Sequence, residues 1–236
     1  MRKATLIVTI IIIFGAIGYR FHSHSTDSHQ LAQQQALVQF AALPGYRLLK
    51  QQEPQLWREV RESFVHSLAA GHSQQQAIGE VRGQLTELVN LRIVKANDSA
   101  VTDYIAVAVQ EMQALNAISA ESCYRFLYPQ VSGGVNIGTL LSPQMNQADQ
   151  QALEQLFLHS QGSDQPRDIN AAHNALSEVV KRLYPHWGNQ LQQLNQPEDL
   201  ATDHQKLCVM SIDLYRTILK LPQPEAANLI RQMVVG

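Results

Sequence analysis

From Leu31 onward the apolar residues recur every three or four positions, and no stretch of strict alternation runs long enough to require a strand. The pattern predicts an all-α body, with residues 30–236 forming a bundle of about eight or nine helices. A first helix is expected from His29 to Leu43, stopped at Pro44-Gly45 and followed by a short turn holding Tyr46, Leu48 and Leu49. Pro54 suits the first position of the next helix, whose stripe is Trp57, Val60, Phe64 and Leu68, and Gly71 ends it. Ser73 with Gln76 three residues on has the form of a capping box and opens a helix with Ile78, Val81, Leu85 and Leu88 inward.

Asn97-Asp98 breaks that run and caps a long helix striped by Val101, Tyr104, Ile105, Ala108, Met112 and Leu115. Ser119 caps a shorter one carrying Cys123, Phe126 and Leu127, ended by Tyr128-Pro129. Residues from Gln130 to Leu141, with Gly133, Gly134 and Gly138, are expected as the longest loop. Ser142-Pro143 then opens a helix through Leu156 and Phe157, and another runs through Ala172, Val179 and Leu183 to a stop at Tyr184-Pro185. Pro197 with Glu198 and Asp199 is expected to open the helix bearing Cys208, Ser211 and Tyr215, because acidic residues favour the positive end of the helix dipole. Pro222 and Pro224 introduce the last helix.

The start of the chain follows a different pattern. Arg2 and Lys3, a basic stub over residues 1–3, precede an uncharged run from Ala4 to Tyr19 rich in isoleucine, which reads as a single membrane-directing segment. The run falls slightly short of the ~17–25 residues that span a bilayer. Arg20, His22 and His24 follow at once, where they anchor an uncleaved helix, so residues 4–19 are expected to be a retained anchor. Cleavage after Gly18, read from the small pair Ala16 and Gly18, is the alternative. Either way the basic residues stay cytoplasmic and the body crosses the membrane, as at a bacterial inner membrane with the domain in the periplasm. Residues 20–29 are polar and serve as a tether.

Two cysteines, Cys123 and Cys208, suit an oxidising compartment, and a disulfide between them is expected. With a formal net charge of −2 the chain lacks the surplus of basic residues that phosphate neutralisation requires, which argues against nucleic acid as a partner. Charged residues make up only 16%, below the roughly 25% of ordinary soluble domains, and frequent glutamines supply surface polarity instead.

Chemistry-bearing patterns are weak. His22, His24, His29 and Asp27 sit in the tether without surrounding support for a metal, and no two later histidines share a helical face at metal-binding spacing, so no metal or cofactor is expected. Ser132-Gly133-Gly134 lacks the leading strand of a nucleophile elbow or a phosphate loop. Glu53, Glu59 and Glu62 lie among Lys50, Arg58 and Arg61 and read as a solvated ion-pair face. Asp213 reads as an exposed charge, with a buried pairing to Arg216 or Arg125 as the alternative.

Tyr124, Arg125 and Tyr128 concentrate side chains favoured at binding hot spots and are the candidate partner-binding residues. The expected function is therefore contact with an envelope protein, as an adaptor, scaffold or immunity-type inhibitor, and not catalysis. The alternative is an envelope enzyme or small-ligand-binding protein whose site is assembled from sequence-distant residues.

Overall fold

The computed structural model describes residues 30–129, 135–199 and 203–235, and the anchor and tether fall outside them. Contacts divide the chain into Met1–Phe40 and Ala41–Gly236. In the first unit, residues 30–40 are helical. In the second, eleven α-helices are described: α1 Pro44–Gln52, α2 Pro54–Ala69, α3 Gln74–Arg82, α4 Thr86–Lys95, α5 Asp98–Ile118, α6 Ala120–Leu127, α7 Ile137–Leu140, α8 Pro143–Leu158, α9 Ile169–Trp187, α10 His204–Ile218 and α11 Gln223–Val235. Single 3-10 segments cover Gly83–Leu85 and Gly188–Asn195. No strand occurs among the described residues, and no helix there is long and apolar enough to cross a membrane.

The described residues are all-α as the periodicity predicts, but cut into more pieces than eight or nine. Tyr46, Leu48 and Leu49 belong to a helix instead of a turn, because Pro44 occupies its first turn and starts it as well as stopping the residues before it. Gly83 closes α3, so the expected helix through Leu88 becomes α3, a 3-10 turn and α4. The expected loop from Gln130 to Leu141 contains α7, whose Ile137 is buried.

Two expected boundaries move. The helix predicted to stop at Tyr184-Pro185 continues to Trp187. Its last turn is held by the Trp187 indole N–H, which donates to Asp213 at 2.9 Å, and is closed by Gly188 at φ 52°, a backbone that favours glycine. The helix predicted to open at Pro197 starts instead at His204, because the Asp203 side chain caps it by accepting the Lys206 N–H. The other caps are where local spacing places them, with Asn97, Ser119 and Ser142 each accepting a backbone N–H from three residues on.

α5 is the central helix, packed against α6, α8, α10 and α11. Around one end of it Ile93, Val101, Leu156, Val179, Ile218 and Leu229 form one core cluster; around the other, Met112, Leu115, Cys123, Ile137, Cys208 and Ile212 form a second. Each such buried side chain contributes roughly 1.5–3 kcal/mol over leaving it in water. α1 lies close on α8 because Gly45 has no side chain: a Cβ there would meet Leu153 Cδ2 at 2.5 Å. Two buried arginines fasten the corners. Arg92 on α4 donates to Glu53 at 2.7 Å and to the Ser160 carbonyl at 3.3 Å, and Arg231 on α11 donates to the Ala96 carbonyl at 2.6 Å and to Asp98 at 2.7 Å.

Candidate functional site

α6 has eight residues, so its faces meet different neighbours within two turns. Cys123 and Tyr124 are buried toward α10. The cysteine sulfurs of Cys123 and Cys208 lie at bonding distance with Cα atoms 5.9 Å apart, forming a disulfide that joins α6 to α10. Residues at the C-terminal end of the same helix, Arg125, Phe126 and Leu127, line a cleft of about 510 Å³.

That cleft is enclosed by helices distant in sequence. Val89 and Ile93 come from α4, Ile105, Ala108 and Met112 from α5, and Leu153 from α8, with Tyr104 and Tyr215 adding ring surface. Its volume falls within the roughly 300–1,000 Å³ usual for small-molecule sites, and its lining is mainly apolar with a few polar groups, as such sites are. Pro129 and Val135 line it as well.

The polar groups are unequal. Arg125 is half-buried, and its Nε, sealed from solvent, has no hydrogen-bond partner among the described residues. Gln150 donates its amide N–H to Asp149 at 3.4 Å, while its own Oε1 is buried with no acceptor role filled. Asp149 is buried and partnered, and Glu80 is exposed and paired with His72 at 2.7 Å. Among the described residues the cleft therefore presents a donor on Arg125 and an amide acceptor on Gln150 whose bonding capacity is unused. Burial pushes the Tyr215 phenol above its ordinary pKa, and the Tyr128 phenol beside it adds to the shift.

The three residues singled out as a contact patch separate. Tyr124 is 4% exposed, and its hydroxyl donates to the Pro197 carbonyl at 2.8 Å. Its ring stacks on His204 at 3.6 Å, and His204 in turn pairs with Glu121 at 2.8 Å. Tyr128 is half-buried beside it, ring centroids 5.4 Å apart, in a cluster with Leu207, Met210 and Trp187. Arg125 alone of the three reaches the cleft. Asp213, read from sequence as exposed, is half-buried and accepts from Trp187.

Among the described residues no group of three or more His, Cys, Asp or Glu is placed to hold a metal ion, and the tether histidines lie outside them. Gln150 and the apolar wall were not singled out by sequence reasoning. Ala108 and Met112 read there as ordinary core stripe, and nothing in a stripe says that the opposing helix stands back from it. No family model, curated protein or solved structure matches the chain.

Proposed function

We propose that this is a membrane-tethered, exported helical protein that acts by binding a small, largely apolar molecule in the cleft between α4, α5, α6 and α8. The observation that carries the reading is the cleft itself: about 510 Å³, walled mainly by apolar side chains, with Arg125 in its lining and the Arg125 Nε without a hydrogen-bond partner among the described residues. A protein that needed these residues only for its core would be expected to close the helices over them, since close packing is the rule in interiors.

The placement of the domain outside the cytoplasm rests on the sequence order of Arg2 and Lys3, the apolar run from Ala4 to Tyr19 and the polar tether. The disulfide between Cys123 and Cys208 supports it, because such bonds persist in oxidising compartments. An anchor over residues 4–19 would tie the protein to a bilayer, where apolar molecules concentrate.

The contact role expected from Tyr124, Arg125 and Tyr128 fits less well. A hot spot needs an exposed anchor, and the Tyr124 ring and hydroxyl are already engaged within the fold. Native mass spectrometry of the full chain, extracted from membranes and freed of detergent in the gas phase, tests the reading. A non-protein mass retained on the wild type and lost in Ala108→Trp, which fills the cleft, is the expected result. Bare protein in both, with no mass recovered by solvent extraction, would sink the proposal.

A further inference from the structure

We infer that the ligand of the cleft is an amphipathic monoanion, an apolar chain ending in a carboxylate that docks on Arg125. This inference rests on the cleft being a binding site and adds the charge class of what it holds.

A guanidinium carries five N–H donors in a fixed planar fork, and withdrawing any of them from water without an acceptor is costly. The Nε of Arg125 is so withdrawn, and the side chain has neither an ion pair nor a hydrogen bond among the described residues. The two carboxylates that share the cleft do not satisfy it. Asp149 is buried among its own partners, and Glu80 is turned to His72 at 2.7 Å. The two buried arginines, Arg92 and Arg231, each have a carboxylate partner, Glu53 and Asp98, both at 2.7 Å, although the Arg231 Nε, like that of Arg125, has no acceptor among the described residues. Arg125 is thus a half-buried cation at an apolar wall without the carboxylate partner that the two buried arginines have, among the described residues.

The fork geometry selects the head group. A carboxylate accepts two parallel N–H bonds from one guanidinium, and the pairing strengthens as water leaves the cleft. The wall of Val89, Ile105, Ala108, Phe126 and Leu127 then asks for an apolar body behind that head. Gln150 Oε1, a buried acceptor in the same cleft, favours ligands that also offer an N–H or O–H.

The test compares decanoate, methyl decanoate and decanol, which share one chain and differ in the head. Binding is measured by equilibrium dialysis to the full chain in phosphatidylcholine nanodiscs, with empty discs subtracted, for wild type, Arg125→Gln and Ala108→Trp. Decanoate is expected to bind wild type roughly tenfold to hundredfold tighter than the ester or the alcohol. Arg125→Gln is expected to abolish that preference while leaving ester binding unchanged. Equal binding of all three heads to wild type would overturn the inference and leave the cleft reading standing, and it needs no variant to fold. No saturable binding of any of them, with Ala108→Trp indistinguishable from wild type, would overturn both.

Discussion

Cys123 of α6, two positions from the arginine that lines the cleft, and Cys208 of α10 are both fully buried and bonded to each other across 85 residues of sequence. The bond removes loop-closure entropy from the unfolded chain, and in the chain-entropy model a loop of this length is worth about 4–5 kcal/mol. Replacing both cysteines by serine, or reducing the bond, is therefore expected to lower the unfolding free energy by that order, read as a lower denaturant midpoint. Superimposable unfolding curves with and without reductant would contradict it. Because α6 carries Arg125 as well as Cys123, the same treatment is expected to weaken ligand binding before the domain unfolds.

The corner between α4 and α5 depends on a residue from the last helix. Arg231 is buried and donates from one nitrogen to the Ala96 carbonyl and to Asp98, whose carboxylate is partly solvated. Arg231→Met keeps most of the volume but leaves both acceptors unmatched, and a loss of roughly 2–3 kcal/mol is expected because water still reaches Asp98. Chemical denaturation measures it. A loss below about 0.5 kcal/mol would show that the corner is held by apolar packing alone.

Three tyrosines set an alkaline limit on the fold. Tyr215 is raised above the ordinary value of 10.0 by burial and by Tyr128; Tyr128 is raised chiefly by burial; and Tyr124 is raised by burial and by the carboxylates of Glu121 and Glu198. A group whose folded pKa lies above its unfolded one contributes stability that is fully present below the unfolded value and is lost as pH rises through the folded value. The stability of the domain is thus expected to be insensitive to these groups at neutral pH and to fall above about pH 10. Tyr215→Phe is expected to lessen that fall, read from thermal midpoints at neutral and alkaline pH. The same alkaline loss in variant and wild type would count against the assignment.

Features whose causes are local could be read from the sequence. Asn97, Ser119 and Ser142 cap their helices because a cap and its partner lie three residues apart, and the capping box of Ser73 and Gln76 is equally self-contained. Two boundaries fall elsewhere than expected, one through a distant contact and one because two local starts compete. The run past Pro185 depends on a bond from Trp187 to Asp213, and the late start of α10 lies beyond a proline and acidic pair that would have served as a start themselves. Pro44–Gln52 escaped notice because one turn of Tyr46, Leu48 and Leu49 is too short to show a period.

The site was legible only as single residues. Arg125 stood out by its chemistry and does reach the cleft, whereas Tyr124 and Tyr128 stood out equally and turn toward the core around Leu207 and Met210. Helical phase explains the division: Arg125 lies about 100° round the axis from Tyr124, and Tyr128 returns to nearly the same side as Tyr124 after one turn. The cleft wall could not be found because Val89, Ala108 and Leu153 come from three helices whose separation is a property of the packed backbone.

The most direct test of the cleft as a binding site is a backbone amide chemical-shift titration of the full chain in nanodiscs with decanoate. The account predicts saturable shifts grouped at Val89, Ile105, Ala108, Phe126 and Leu127, with the Arg125 side-chain Nε signal moving at the same concentration. Shifts scattered over the surface, or none below the concentration at which decanoate forms micelles, would contradict it.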